Sequence, residues 1–360
     1  MIFDDVINKI NRGKQGLNTG LPMGFNRLVN YVPDIQQGTY YLVGGETGTG
    51  KTAFADNCFL YNPYDYIQKT PDCKFKMKMI YWSFEIDKIS KITKAVCKKL
   101  YTDYGITTDI NFVLSRGKNR ISQEIYDKVL QTRNYFEGLE DVLEIFDGAM
   151  NPTGINRYML DYARANGKYL MKEVDNGKGG KIEVFDKYIP NDPNLYTMIM
   201  VDHVSLTKKE QGMKTKEVVD RLSEYMIPLR NNFGFIPIIV QQIGRGNSTS
   251  DRMKMDRLEP QLSDFKDSGN TQQDANVIMA LFSPKRYELE NFRGYDITKL
   301  KDRFRSLMVL KNRDGESDVR VGLQFVGEVG HFAELPKLSD FQADPKLYDK
   351  YANIINYGTR

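Results

Sequence analysis

An α/β fold, with a mostly parallel sheet and helices on both faces, is predicted by three observations. Six short apolar runs recur between Tyr40 and Phe282, helical patterns separate most of them, and the first run ends in a glycine-rich loop that opens a helix. Runs of this length without strict alternation suit strands covered on both sides, as in a parallel sheet. Taken in order, Phe3, Val6, Ile7 and Ile10 space a short amphipathic helix over 3–12, and "RGKQGLNTG" follows as a linker. The strands are then "YYLVGG", "MIYWSFE" (79–85), "DVLEIFD" (141–147), "YTMIMVDHV" (196–204), "FIPIIVQQ" (235–242) and "DANVIMALF" (274–282). Two segments break the rhythm. Residues 167–190 alternate around Asn176-Gly177 and read as an inserted hairpin, and 307–326 pair around Asp314-Gly315 as a C-terminal one. The expected organisation is a helix and linker over 1–18, one α/β domain over 19–340 and a tail over 341–360, with no internal repeat.

Composition frames this reading without directing it. A length of 360 residues would suggest about two domains on a prior of ~150 residues each, although α/β domains often run longer. Hydrophobic content of 41% and charged content of 27% are ordinary for a globular chain, and a net charge of +4 is too mild to demand a nucleic-acid partner. Cys58, Cys73 and Cys97 have no C-x-x-C spacing, so reduced thiols and no zinc site are expected. No apolar run reaches membrane-spanning length, and the acidic start "MIFDDV" is unlike a signal peptide. A cytoplasmic protein with no membrane partner is the expectation.

The chemistry begins at Gly45, Glu46, Thr47, Gly48, Thr49, Gly50, Lys51 and Thr52, which fit G-x-x-x-x-G-K followed by Ser or Thr. Backbone N–H groups wrap a polyphosphate only where no side chain intervenes, and the helix starting at Lys51 offers its positive end. Lys51 would reach the outer phosphates of a nucleotide and the Thr52 hydroxyl would hold magnesium. An ordinary glycine-rich turn is the alternative; the strand before and the helix after favour nucleotide.

Two carboxylates stand at strand ends. Asp202 closes "TMIMV" and would emerge at the carboxyl edge of the sheet, where ligands bind in such folds, so it is a metal-sphere carboxylate or a helix N-cap. Glu85 closes "MIYWSFE" and could polarise an attacking water. Alternatively it caps the next helix, where Ile86, Ile89, Ile92 and Val96 fit one apolar face.

These residues carry a resemblance. From about residue 19 to residue 335 the chain resembles the ATPase domain of the DnaB family of replicative helicases, on a RecA-like core, in "TGLPMGFNRLVNYVPDIQQGTYYLVGGETGTGKTAFADN", "YWSFEID", "IMVDHVSL" and "IIVQQIGR". "QLSDFKDSGNTQQDANVIMAL" and "VLKNRDG" are the most family-specific pieces. The resemblance implies ATP and Mg2+, with Lys51 and Thr52 as phosphate and magnesium ligands, Glu85 as base, Asp202 as magnesium-site carboxylate and Gln242 as γ-phosphate sensor. Lys311 and Arg313 would be a basic pair reaching into the neighbouring subunit's nucleotide site; by themselves they read as a solvated strand edge.

Three positions depart from the family's pattern: His203 for its tyrosine, Gln241 for its serine, and Lys266-Asp267 for Arg-Glu. The family's N-terminal helical domain is absent from the resemblance, which implies a compact, phage-like version in which the 3–12 helix docks on the next subunit. Two basic loops follow strands that touch nucleotide. One holds Lys208, Lys209, Lys214 and Lys216, the other Arg245, Arg252, Lys254 and Arg257. Alone they would be solvated surface; their position suits tracking the phosphates of single-stranded DNA. The expected function is an ATP-dependent motor that forms a ring, a hexamer by resemblance, translocates on single-stranded DNA and unwinds duplex, with primase or other replisome proteins as partners. The alternatives are a RecA-like strand-exchange ATPase and a nucleotide-gated assembly scaffold.

Overall fold

The computed structural model describes residues 2–177, 180–244, 258–268 and 270–353. Its strands are β1 (Tyr41–Gly45), β2 (Lys76–Ser83), β3 (Leu143–Phe146), β4 (Gly167–Asp175), β5 (Lys181–Pro190), β6 (Leu195–Asp202), β7 (Ile236–Gln242), β8 (Val277–Phe282), β9 (Asn291–Phe292), β10 (Tyr295–Asp296), β11 (Phe304–Asn312), β12 (Val319–Val326) and β13 (His331–Glu334). Among the described residues the main sheet has nine strands in the order β13-β12-β11-β8-β1-β7-β6-β2-β3. The run from β8 to β3 is parallel, and β11, β12 and β13 extend it antiparallel. The mostly parallel sheet read from the sequence is therefore present, with the 307–326 hairpin added to its edge as β11 and β12.

The two-residue period of a strand decides which side each residue covers. Tyr41, Val43, Met79, Tyr81, Met200 and Val240 face one side, where Phe54, Phe59 and Leu60 of the post-loop helix and Ala95 pack. Leu42, Ile80, Trp82, Val201 and Ile239 face the other, against Ile155 and Met159 of the Pro152–Ala165 helix and Leu222 and Met226 of the Thr215–Phe233 helix. Each large apolar side chain so buried contributes about 1.5–3 kcal/mol, so both faces stabilise the central strands.

Helix α1 (Ile2–Lys14) forms where the apolar spacing places it, yet Phe3 is 67% exposed and Ile10 51%. β4 and β5 pair antiparallel from Gly167↔Pro190 to Asp175↔Lys181, as expected of the inserted hairpin, and Asp5 of α1 lies 3.7 Å from Lys187. Beyond Pro336, the short helices Leu338–Ala343 and Leu347–Ala352 bury Phe341 and Tyr348 against Tyr295, so the chain past residue 340 continues into packed structure. Among the described residues no helix is long and apolar enough to cross a membrane.

Candidate nucleotide site

Parallel register brings the site together. Gly45 lies opposite Gln242, and Ser83 opposite Asp202, which itself lies opposite Val240. The phosphate loop, Glu85, Asp202 and Gln242 thus leave the sheet at one carboxyl edge, although they are far apart in sequence. Around them runs a cavity of about 340 Å³ whose lining includes Lys51, Thr52, Glu85, His203, Gln242 and Phe325.

The loop's shape depends on two left-handed glycines, Gly48 at φ 76° and Gly50 at φ 95°. A Cβ on Gly50 would come within 2.9 Å of Phe325 and 3.0 Å of Phe332, whose rings stack with centroids 4.4 Å apart. Directly after Gly50, α2 (Lys51–Asp56) begins, continuing through a π turn over Asn57–Tyr61 into α3 (Asn62–Lys69). Thr49 Oγ1 donates to the Glu46 carbonyl at 2.8 Å, and Lys51 Nζ donates to the same carbonyl at 3.0 Å. Burial pulls the Lys51 pKa below the usual lysine value, and the negative charges of Asp202 and Glu85 partly offset this.

Several supports of the loop have no signal in the sequence. Arg305 of β11 is 1% exposed; its Nε donates to the Thr49 carbonyl at 3.1 Å, and its guanidinium pairs with Asp302 at 3.0 Å and lies over the Phe325 ring. Tyr287 donates to Glu46 Oε1 at 2.5 Å. Beneath β1, Phe265 fills the space where a Cβ on Gly44 would stand, at 2.2 Å. Thr271 Oγ1 donates to Gln241 Oε1 at 2.9 Å, which pins the buried neighbour of the exposed Gln242.

Neither carboxylate is a helix cap. The N-cap of α4 (Lys88–Tyr104) is Asp87, which accepts from Ser90 N at 2.9 Å, while Glu85 stays exposed two residues beyond the end of β2. The face expected for that helix is corrected in part: Ile92 packs against the core, but Ile89 is 73% exposed, and Lys91, Ala95 and Lys98 turn inward. Ionic and ring partners explain this, since Lys91 pairs with Asp56 at 2.9 Å and Lys98 lies 5.0 Å from the Tyr61 ring centre. Burial lowers the Lys98 pKa to about 8. Asp202 is 1% exposed and precedes His203, the N-cap position of a short turn that has no side-chain cap bond.

These features fit a magnesium-nucleotide. Open loop glycines, a helix N-terminus and Lys51 suit a polyphosphate, and Asp202 Oδ1 is buried with no hydrogen-bond partner among the described residues. Lys311 and Arg313 are not brought to this cavity. β11 runs antiparallel to β8, so Asn312 lies opposite Val277, which in turn lies opposite Tyr41 at the amino edge of the sheet. There Lys311 Nζ donates to the Gln272 and Gln273 carbonyls at 2.8 and 2.9 Å, and Arg313 Nη2 to that of Gln273 at 2.8 Å. Lys208 and Lys209 are exposed on the loop beyond Asp202, and the Lys208 N–H bonds the Met150 carbonyl at 3.0 Å. Arg245, Arg252, Lys254 and Arg257 lie outside the described residues.

Residues 182–334 match the model of the DnaB-like helicase C-terminal domain. The replicative DNA helicase DnaB of Mycoplasma pneumoniae is 23% identical over 331 residues, covering 91% of this chain and 59% of that protein. Its namesake from Leifsonia xyli subsp. xyli is 27% identical over 139 residues, covering 38% of this chain and 27% of the relative. The chain therefore spans less than two thirds of either relative's length. Among solved structures, an ATPase domain superposes with a TM-score of 0.67 at 18% identity, over 92% of this chain and 98% of that one. A DnaB-like replicative helicase, described with its interactions with primase, gives a TM-score of 0.62 at 18% identity, over 88% of this chain and 64% of that one. Those two likenesses establish the fold, a RecA-like core. The match over 182–334 and the Mycoplasma relative make the chain similar to DnaB-like helicases across its C-terminal half.

Proposed function

We propose that the chain is the motor of a ring-forming, ATP-dependent replicative DNA helicase, translocating on single-stranded DNA in the cytoplasm and unwinding duplex. The observation that carries the reading is the split of the predicted residues between two sheet edges. Lys51, Thr52, Glu85, Asp202 and Gln242 share one edge, and Lys311 and Arg313 occupy the other. A chain so divided completes its site when the amino edge of one copy meets the carboxyl edge of the next, as in a ring. Six copies fit the family. The exposed stripe of α1 supports a second contact between neighbours, and primase is a proposed partner.

In the mechanism the loop amides and Lys51 bind the phosphates of ATP, and the Thr52 hydroxyl and Asp202 would hold magnesium. Magnesium, when bound, supplies charge neutralisation of the β- and γ-phosphates. Glu85 takes a proton from the water that attacks the γ-phosphorus as the bond to the β-phosphate oxygen breaks, leaving ADP and phosphate. Gln242 contacts the γ-phosphate and transmits its loss to the loop that follows. Exposure of Glu85 suits this task, because a base must meet solvent water.

Glu85→Gln is expected to bind ATP like the parent and hydrolyse it at least ~100-fold more slowly, the scale of losing a general base. Single-turnover hydrolysis beside nucleotide binding checks this; surviving hydrolysis would assign the water-activating role elsewhere. For the DNA reading, single-stranded DNA should stimulate hydrolysis, and its binding should weaken steeply with salt as phosphate contacts release counterions. Replacing Arg252, Lys254 and Arg257 together should leave basal hydrolysis and remove the stimulation. Equal stimulation in variant and parent would move the DNA path to other residues.

A further inference from the structure

Asp56 is the last residue of α2, five positions after Lys51, and is flanked by Phe54, Ala55, Cys58 and Phe59, all fully buried. An acidic side chain there needs a reason. Its Oδ2 lies 2.9 Å from Nζ of Lys91, which is 2% exposed, and its Oδ1 lies 3.0 Å from the Tyr81 hydroxyl. Lys91 Nζ also donates to that hydroxyl oxygen, and the hydroxyl lies 3.1 Å from Asp202 Oδ2. Four side chains from α2, α4, β2 and β6 thus form one buried array that runs from Asp56 and Lys91, which line the nucleotide cavity, to Asp202 at the carboxyl edge of the sheet beside it.

Proton counting gives the array a direction. The phenol has one proton to donate, and its oxygen is already an acceptor for Lys91. Asp56 has the Lys91 ammonium as its partner, whereas the Asp202 carboxylate has the phenol as its only hydrogen-bond donor among the described residues. The phenol proton therefore serves Asp202, and the Lys91–Asp56 pair holds the phenol in place to do so. Stability alone does not account for the pair, since well-packed apolar residues commonly replace a buried ion pair at no loss.

We infer that Lys91, Asp56 and Tyr81 are positioning residues, which fix the Asp202 carboxylate through Oδ2 so that Oδ1 is held toward the metal of the bound nucleotide. This rests on the reading of Asp202 as the magnesium-site carboxylate. Groups of this kind around a metal ligand typically contribute about 10–100-fold in metal affinity.

The test uses the full chain with a non-hydrolysable ATP analogue. Free Mn2+, standing in for magnesium, is titrated by electron paramagnetic resonance, and binding of a fluorescent nucleotide is measured separately in EDTA. Tyr81→Phe should weaken Mn2+ binding about tenfold or more, with metal-free nucleotide binding unchanged. A merely structural loss would lower both together, and that outcome or parental Mn2+ affinity overturns the proposal. Asp202→Asn is the control that separates the two readings. If it leaves Mn2+ affinity intact, the magnesium assignment falls and the array with it; if it loses affinity while Tyr81→Phe does not, only the array falls. Should Tyr81→Phe disturb folding, judged from fluorescence of the buried Trp82, the paired replacement of Asp56→Leu with Lys91→Met decides. It keeps the phenol and removes its anchor, so weaker Mn2+ binding with unchanged metal-free binding is expected, and parental affinity overturns the inference.

Discussion

Lys51→Ala is expected to reduce ATP hydrolysis to background while the chain still folds. Among the described residues the Lys51 ammonium makes one hydrogen bond, to the Glu46 carbonyl, so its removal costs the fold about 1 kcal/mol. The functional loss is far larger. Asp202 and Glu85 both place negative charge near the ammonium, and without it a polyanion would meet that charge with one fewer cation to balance it. Hydrolysis by phosphate release, beside a thermal midpoint, checks both halves; near-normal turnover would sink the nucleotide-site assignment.

Mixing Arg313→Ala chains with Lys51→Ala chains is expected to restore part of the hydrolysis that each lacks alone. From Tyr41, at the level of Asn312, to Gly45 the sheet runs four residues, about 13 Å at ~3.3 Å per residue, with the loop still beyond. Arg313 is therefore too far to serve the phosphates bound by its own loop. Where a Lys51-intact cavity meets an Arg313-intact neighbour, one complete site forms. An arginine supplied by a neighbour can contribute ~10³ to 10⁵ in rate, so a modest fraction of repaired interfaces stands above background. No recovery in subunits shown to co-assemble and exchange would argue against action between copies and favour the assembly-scaffold reading.

Residues that form a local pattern are legible in the sequence. Strands such as "TMIMVD" and "PIIVQQ" are continuous apolar runs because both faces of the sheet are covered, and the phosphate loop announces itself by glycine spacing. What the sequence hides depends on partners distant in the chain. Arg305 looks like any basic strand residue until Thr49, 256 positions away, is folded against it. Lys91 and Lys98 lie beside an apolar series in α4 that periodicity assigns to the core, yet it is the lysines that turn inward, because Asp56 and the Tyr61 ring supply partners that no local window contains. Glu85 and Asp202 are readable as strand-end carboxylates; that Glu85 is no cap follows only once Asp87 is seen to take the bond from Ser90.

Arg305 bears on how tightly a nucleotide can be held. Fixing a residue's backbone costs roughly 1–2 kcal/mol of conformational entropy, and a loop that orders only around its ligand subtracts that cost from affinity. Here the Arg305 bond to the Thr49 carbonyl, the Tyr287 bond to Glu46 and the Phe325–Phe332 stack beneath Gly50 hold the loop in shape from the C-terminal third of the chain. The ordering cost is met when the domain folds, so it is not charged against the phosphates on arrival. On the proposed ring reading, product departure then has no loop collapse to drive it, and the release of ADP falls to motions between copies.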